Sequence, residues 1–452
     1  MRCVKPESVP EVPMASRKSY RKYPEDHCNP LSVDLNDPPI NPEIDKIVNE
    51  LTNPKGHPRV PGVAVVVRKD DEIVHLNCYG YANLETGAKV RLDTIFDLGS
   101  LSKQFTAVAI LDLVINHKLC LTDHLSKFFK GFPRYADAIT IEDLIHHTSA
   151  LPDYLAIYVE SRRAEKDWYE KALATGSDWY PKMSAGKKEI SNKDVLKWIA
   201  TQTLLPRPPD TEYEYCNSGY VVLAELVARV TKKRLGPYLK EYLFEGLGMH
   251  DTYMFDETSR FPPDARQVVN HARCYNRVSG HFVPVGYTPL NFITGDGNFH
   301  STIVDLAKWE RNLHELEFNP ISELLWKPVK VKSRKKQNYG AGWKLLSDKN
   351  ETEVEVNGKP VTRKYERRAE YHRGTWLGWR SFIARASRWP IPEAGSRTRK
   401  NIDPKTVESL GIVVLSNAKF GNEQFTTCRI AQEISRVYWK RNNIMTKLNC
   451  EL

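Results

Sequence analysis

Thr94-Ile95-Phe96-Asp97-Leu98-Gly99-Ser100-Leu101-Ser102-Lys103 decides how the chain is read: a strand-like approach runs straight into a serine that opens a long apolar segment. From Phe105 to Ile115 that segment is apolar nearly all round, the pattern of a buried helix. Ser100 in the first turn and Lys103 three residues on share one helix face. Ser-x-x-Lys also occurs at Ser19, Ser184, Ser333 and Ser416, but only Ser100 stands between a strand approach and a buried helix.

A serine hydroxyl becomes a nucleophile when a neighbouring base takes its proton. Lys103 meets that need if burial and nearby positive charge lower its pKa from about 10.4 towards neutrality. A helix starting at Ser100 also leaves unpaired N–H groups at its positive end, one of which can hold an oxyanion. The competing reading of Ser100 is a helix N-cap. Two later motifs weigh against it: Tyr215-Cys216-Asn217 and His372-Arg373-Gly374, which follow in fixed order. Tyr215, a phenol of pKa about 10, is a second candidate base if a lysine ammonium stabilises its phenolate. Tyr-x-Asn recurs at Tyr81, and Lys419-Phe420-Gly421 competes for the third place.

With these motifs the chain resembles the serine β-lactamase and penicillin-binding-protein superfamily, in particular its class C-like branch with esterases and D-aminopeptidases. The resemblance covers roughly residues 42 to 440. It extends to Ile139 through Pro152, to Tyr215 through Tyr220, to His300-Ser301-Thr302 with Asp305 through Trp309, and to Tyr339-Gly340-Ala341-Gly342-Trp343. The resemblance implies Ser100 as nucleophile, Lys103 as its proton partner and Tyr215 as general base and acid. It implies that Asn217 bonds the acyl side of a substrate. His372, Gly374 and Thr375 would then lie on an inner strand, with Thr375 N–H and Ser100 N–H as the oxyanion hole. Gly374 is small because the backbone must come close to the substrate there.

His372 stands where most β-lactamases carry lysine. A lysine is a permanent cation that reads a substrate carboxylate; histidine, of pKa about 6.5, is mostly neutral at physiological pH. Esters or uncharged amides are therefore expected over β-lactams. Alternation along a strand turns Arg373 away from His372. No acidic residue is placed as a class A deacylation base. Cys216 reads as a small packing residue.

At 452 residues, 41% hydrophobic and 10% aromatic, the chain can bury a full core. The expected fold is α/β (α+β), an antiparallel sheet flanked by helices with an inserted, mostly helical lobe. A catalytic domain at 41–445 would comprise a sheet lobe (41–118 and 290–445) and a helical insertion (119–289). Residues 1–40, with seven prolines among charges, read as an extended or disordered tail that lies across the body. No signal-peptide core or membrane-length apolar run is seen. The eight cysteines lack Cys-x-x-Cys spacing and read as reduced thiols of a cytoplasmic protein.

The net charge of +10 raises nucleic-acid binding, but the basic runs match no binding module and read as solvated surface. His146-His147 with His124 lacks metal-ligand spacing, and no phosphate loop follows a strand, so neither metal nor cofactor is expected. The partner expected is a small ester or amide; oligomeric state is not legible.

Strands are expected at Gly62 to Arg68 and Glu72 to Tyr79, around Lys69-Asp70-Asp71, then at Gly340–Leu346, Lys364–His372, Gly378–Ala386 and Leu410–Asn417. Helices are expected at Ile40–Thr52, Ser100–His117, Val195–Thr203, Ser218–Thr231 and Glu423–Trp439. Arg162–Lys188 reads as a surface insertion or lid and Ser387–Thr406 as a mobile loop. The function expected is an esterase-like serine hydrolase working through an acyl-enzyme. A D-amino-acid peptidase or amidase, or a transacylase, is the alternative within enzymes. A non-catalytic or filament-forming protein of the same fold is the alternative outside them.

Overall fold

The hairpin expected around Lys69-Asp70-Asp71 forms in the computed structural model: β1 (Val63–Lys69) and β2 (Glu72–Tyr79) pair antiparallel, and Asp70 turns the chain with φ 53°. The structure describes residues 31, 33–155, 190–255, 270–285, 289–316, 324–329, 331, 338–356, 359–390, 407–420, 426–439, 443–448 and 450. The expected loop and insertion at 162–188 and 391–406 lie outside these residues.

β3 (Lys344–Val356), β4 (Lys359–Trp376), β5 (Trp379–Pro390) and β6 (Glu408–Ser416) complete a six-stranded sheet of order β3-β4-β5-β6-β1-β2. Every neighbouring pair is antiparallel. Val63, Val65 and Val67 join Ile412 and Val414 in a core under α1 (Pro42–Thr52) and α5 (Thr426–Trp439). Ala64, Val66, Val413 and Leu415 face the opposite core, with Phe105 of α2 (Lys103–Ile115) and Leu306 of α4 (Ile303–Leu316). Burial on both faces explains why β1 reads as a continuous apolar run. Each buried valine, leucine or isoleucine among them contributes about 1.5–3 kcal/mol. Arg68 and Glu310, both buried, pair through two contacts of 2.7 Å and tie α4 to the sheet. Gly411 leaves room for them, since a Cβ there would lie 2.1 Å from the Glu310 carboxylate.

α2 is buried from Lys103 to Leu113, as its all-apolar pattern predicts. α3 (Asn217–Thr231) packs against it. Three differences from the sequence reading have physical causes. A hairpin, Cys274–Val278 with His281–Val285, lies in the region read as helix and loop. It turns through Ser279 and Gly280, both at positive φ, and Tyr275 N–H donates to Asn417 O at 2.8 Å, so its support is tertiary. β5 continues to Pro390 because Ser387 and Arg388 pair with Ser409 and Glu408. Residues 339–343 are a turn rather than the start of β3: Gly342 has φ 79°, and a Cβ on it would lie 3.0 Å from Lys103 O.

Leu31, from the stretch read as a tail, is buried beside Val66, Ala307 and Val413. The reduced-thiol expectation fails at Cys428, which is disulfide-bonded to Cys450, and at Cys120, which is also disulfide-bonded. A separation of 22 residues left no short-range spacing to read. Cys78, Cys216 and Cys274 are free thiols. Closing a loop of that size stabilises by about 3 kcal/mol in the chain-entropy account. Cys450→Ser is therefore expected to lower the urea midpoint measurably, and an unchanged midpoint would contradict that contribution. Among the described residues no helix is long and apolar enough to cross a membrane.

Candidate active site

Ser100 lies in a single 3-10 turn, Gly99–Ser102, that runs directly into α2. Its side chain caps no helix; its Oγ instead accepts a hydrogen bond from Lys103 Nζ at 3.1 Å. Gly99 has φ 50°, and a Cβ on it would come within 2.9 Å of Thr375 N. A Cβ on Gly374 would lie 1.9 Å from Leu98 O and 2.2 Å from Ser381 Oγ. Ser381 Oγ donates to Leu98 O at 2.6 Å. These contacts bring β4 against the serine turn, with Thr375 itself exposed beside it. Gly374 is therefore required by the packing of protein on protein, a reason distinct from room for substrate.

Lys103 is fully buried, and its Nζ also meets Asn217 Oδ1 at 2.8 Å and Asp296 O at 2.7 Å. Burial pulls its pKa down to about 8, against the opposing pull of Asp296, Asp153 and the Cys216 thiol. Once it loses its third proton the amine keeps two hydrogens and one lone pair, and its bond with Ser100 reverses direction. Asn217 Oδ1 and Asp296 O accept the two hydrogens, which leaves the lone pair for the Ser100 hydroxyl.

Asn217 opens α3, and one carboxylate oxygen of Asp153 accepts from its N–H at 2.7 Å and from its Nδ2 at 3.0 Å. That grip fixes the amide so that Oδ1 faces Lys103. Tyr215 lies with its ring centroid 4.8 Å from Lys103 Nζ. Burial pushes its phenol well above the usual range, and a hydrogen bond with Ser100 pulls it back in part. The segment carrying both residues is pinned from behind, where Cys216 N–H donates to His147 Nδ1 at 3.1 Å. The His147 ring lies tilted by 36° against that of Tyr215, with centroids 4.4 Å apart. Cys216 is buried, its thiol pushed up to about 12 by burial, in keeping with a packing role.

His372 is 2% exposed, and both its ring nitrogens are engaged. Nδ1 lies 2.8 Å from Arg373 O, which can only accept, so Nε2 accepts from Tyr339 OH at 3.2 Å. Burial, reinforced by Lys103 and Lys344, holds its pKa well below the usual value. The imidazole is neutral. Arg373 still acts electrostatically on Tyr215 and Tyr213.

Ser100, Lys103, Tyr215, Asn217, His372, Gly374 and Thr375 thus gather at one place. Asp153, Tyr154, His147, Tyr339 and Asp296 join them without having been read as site residues. The first three fall within or directly beside the segment Ile139–Pro152. Asp296, between two glycines, had no pattern to mark it. Among the described residues no group of three or more His, Cys, Asp or Glu is placed to hold a metal ion.

A family profile described as Beta-lactamase matches residues 44–434. Penicillin-binding protein 4* of Bacillus subtilis (strain 168) is 24% identical over 331 residues, which are 71% of this chain and 64% of that protein. A D-aminopeptidase of Brucella anthropi is 26% identical over 328 residues, 71% of this chain and 52% of that one. The chain therefore spans between half and two-thirds of the length of these relatives. Among solved structures, the octameric penicillin-binding protein homologue from Pyrococcus abyssi superposes with a TM-score of 0.61 at 20% identity, covering 88% of this chain and 77% of that one. A class C beta-lactamase gives 0.58 at 17% identity, with 86% and 94% covered. At such identities the structural likeness speaks for the fold alone.

Proposed function

The chain belongs to the beta-lactamase family, and from that premise we propose that it is a serine hydrolase acting through a covalent acyl-enzyme on the ester or amide bond of a small molecule. The observation that carries this is the Lys103 amine, buried, drawn down to about 8 and 3.1 Å from Ser100 Oγ. Ser100 Oγ attacks the acyl carbon while its proton passes to Lys103 Nζ. The oxyanion is held by the N–H groups of Ser100 and Thr375. Collapse breaks the bond to the leaving group, which takes a proton from Tyr215, and Tyr215 recovers one from the Lys103 ammonium. Water then releases the acyl unit by the same steps in reverse. Residues 41–445 form one catalytic unit in this reading, with 119–289 as its inserted lobe.

Among substrates, esters with short acyl chains fit best, because His372 is a buried neutral group where a β-lactamase lysine would meet a carboxylate. A charge-assisted hydrogen bond is worth about 1.5–3 kcal/mol, or roughly ten- to a hundred-fold in specificity. kcat/KM is therefore expected to be higher for p-nitrophenyl butyrate than for nitrocefin, and His372→Lys should move the ratio towards nitrocefin by that factor. A wild-type preference for nitrocefin would overturn the reading and make Arg373 and Lys344 the carboxylate readers. The D-aminopeptidase relatives favour amide hydrolysis as the second reading; D-alanine p-nitroanilide in the same comparison separates the two. The disulfides favour an oxidising compartment over the cytoplasm.

A further inference from the structure

Asp296 is a buried carboxylic acid whose backbone carbonyl accepts from the catalytic lysine while its side chain points to a different partner. Its Oδ2 accepts from Tyr154 OH at 2.9 Å, and Tyr154 is itself buried. The loop that carries it is held on three sides. Thr294 exchanges hydrogen bonds of 2.8 and 2.9 Å with Asn192, and Thr106 Oγ1 donates to Gly295 O at 2.6 Å. Gly295, at φ 105°, lies so close to α3 that a Cβ would fall 2.3 Å from Tyr220 O. Such a clamp keeps the acid in place at no cost during the reaction.

We propose that Asp296, held by Tyr154, is a positioning residue that stabilises the ammonium formed on Lys103 when it takes the serine proton. Unlike the buried acid of a Ser-His-Asp triad, which bonds its base directly, the Asp296 carboxylate acts on Lys103 through space while its backbone carbonyl accepts from the amine at 2.7 Å. It rests on the acyl-enzyme reading above, since it acts through Lys103. The other groups facing Lys103 are Asp153 and the Cys216 thiol, which also favour its charged form, His147 and His372, on both of which its charge acts, and the phenols Tyr215 and Tyr220, whose ring centroids lie 4.8 and 5.5 Å from its Nζ. Around Asp296 itself stand Lys103, Tyr154 and Asp153, with Asp97 acted on by its charge. Burial raises the Asp296 carboxyl to about 6, and Lys103 and the Tyr154 hydroxyl hold it from rising further, so it is ionised where the lysine works.

The test is the rate of Ser100 labelling by a fluorophosphonate as a function of pH, followed by intact mass. In that step the Oγ–P bond forms, the P–F bond breaks, fluoride leaves and the serine proton goes to Lys103. Asp296→Asn keeps the backbone acceptor and the size of the side chain but removes the charge. Without it the ammonium is less favoured, so the acid limb of the labelling profile should move down by about one pH unit. The plateau should fall several-fold, because the lysine is a weaker base. Tyr154→Phe takes away a hydrogen bond that keeps Asp296 ionised, so it should shift the limb the same way by less. It decides the matter if Asp296→Asn does not fold. A limb that stays in place while the rate drops equally at every pH would make Asp296 merely structural and overturn the proposal, as would a shift to higher pH. Wild-type protein left unlabelled at Ser100 would sink the acyl-enzyme reading itself, a result distinct from either.

Discussion

Ser100→Ala is expected to abolish turnover of p-nitrophenyl butyrate, by about 10⁴-fold or more, while leaving thermal stability close to that of the parent. The fold half of the expectation follows from what Ser100 does not do. Its hydroxyl caps no helix, and the 3-10 turn around it is held by Gly99, by Ser381 Oγ on Leu98 O and by Gly99 N–H on Asp97 at 2.7 Å. The activity half follows from its two neighbours, Lys103 and Tyr215, which the proposed mechanism needs to activate it. The measurements are steady-state rate, melting temperature and intact mass after fluorophosphonate treatment. Near-normal turnover, or labelling of another serine in the parent protein, would show that the nucleophile lies elsewhere.

What made Ser100 legible was local: a strand approach, a glycine and an apolar run make a serine-bearing turn whatever surrounds it. The hairpin of β1 and β2 was legible for the same reason, since alternation and a polar turn carry their own information. Asp296 was not, because its contact with Lys103 spans 193 residues and depends on how a glycine-flanked loop packs on α3. The neutral state of His372 could be expected from residue type, yet Tyr339, which occupies its second nitrogen, belongs to another turn of the chain. Residues 274–285 form a hairpin because Asn417 and Ala418 offer them a backbone to join, and no periodicity of their own announces it. The cysteine pairing was hidden for a similar reason. Spacing reveals metal sites and small scaffolds, whereas Cys428 and Cys450 meet only once α5 and the segment after it have packed. Short-range chemistry was thus readable and long-range contact was not.

Lys103→Ala and Tyr215→Phe should each lower the acylation rate by about 10²–10⁴-fold, the range of a general acid–base group, with the double variant little worse than the more damaged single. In the proposed mechanism both side chains act on one proton. Lys103 Nζ contacts Ser100 Oγ, the Ser100 side chain acts on the Tyr215 phenol, and the lysine nitrogen lies 4.8 Å from the tyrosine ring. Groups that work as a unit lose that work together, so their free-energy losses do not add. Burial divides the roles. It lowers the lysine to about 8 and raises the phenol, so Lys103 is the first of the pair to give up its proton and then offers its lone pair to Ser100. Labelling of the parent protein should consequently rise with pH through about 8 as Lys103 loses its proton. In Lys103→Ala that limb should vanish, whereas Tyr215→Phe should keep it at a reduced plateau. Losses that simply multiply, or a limb that survives without Lys103, would show two independent groups and remove the lysine from the role of base.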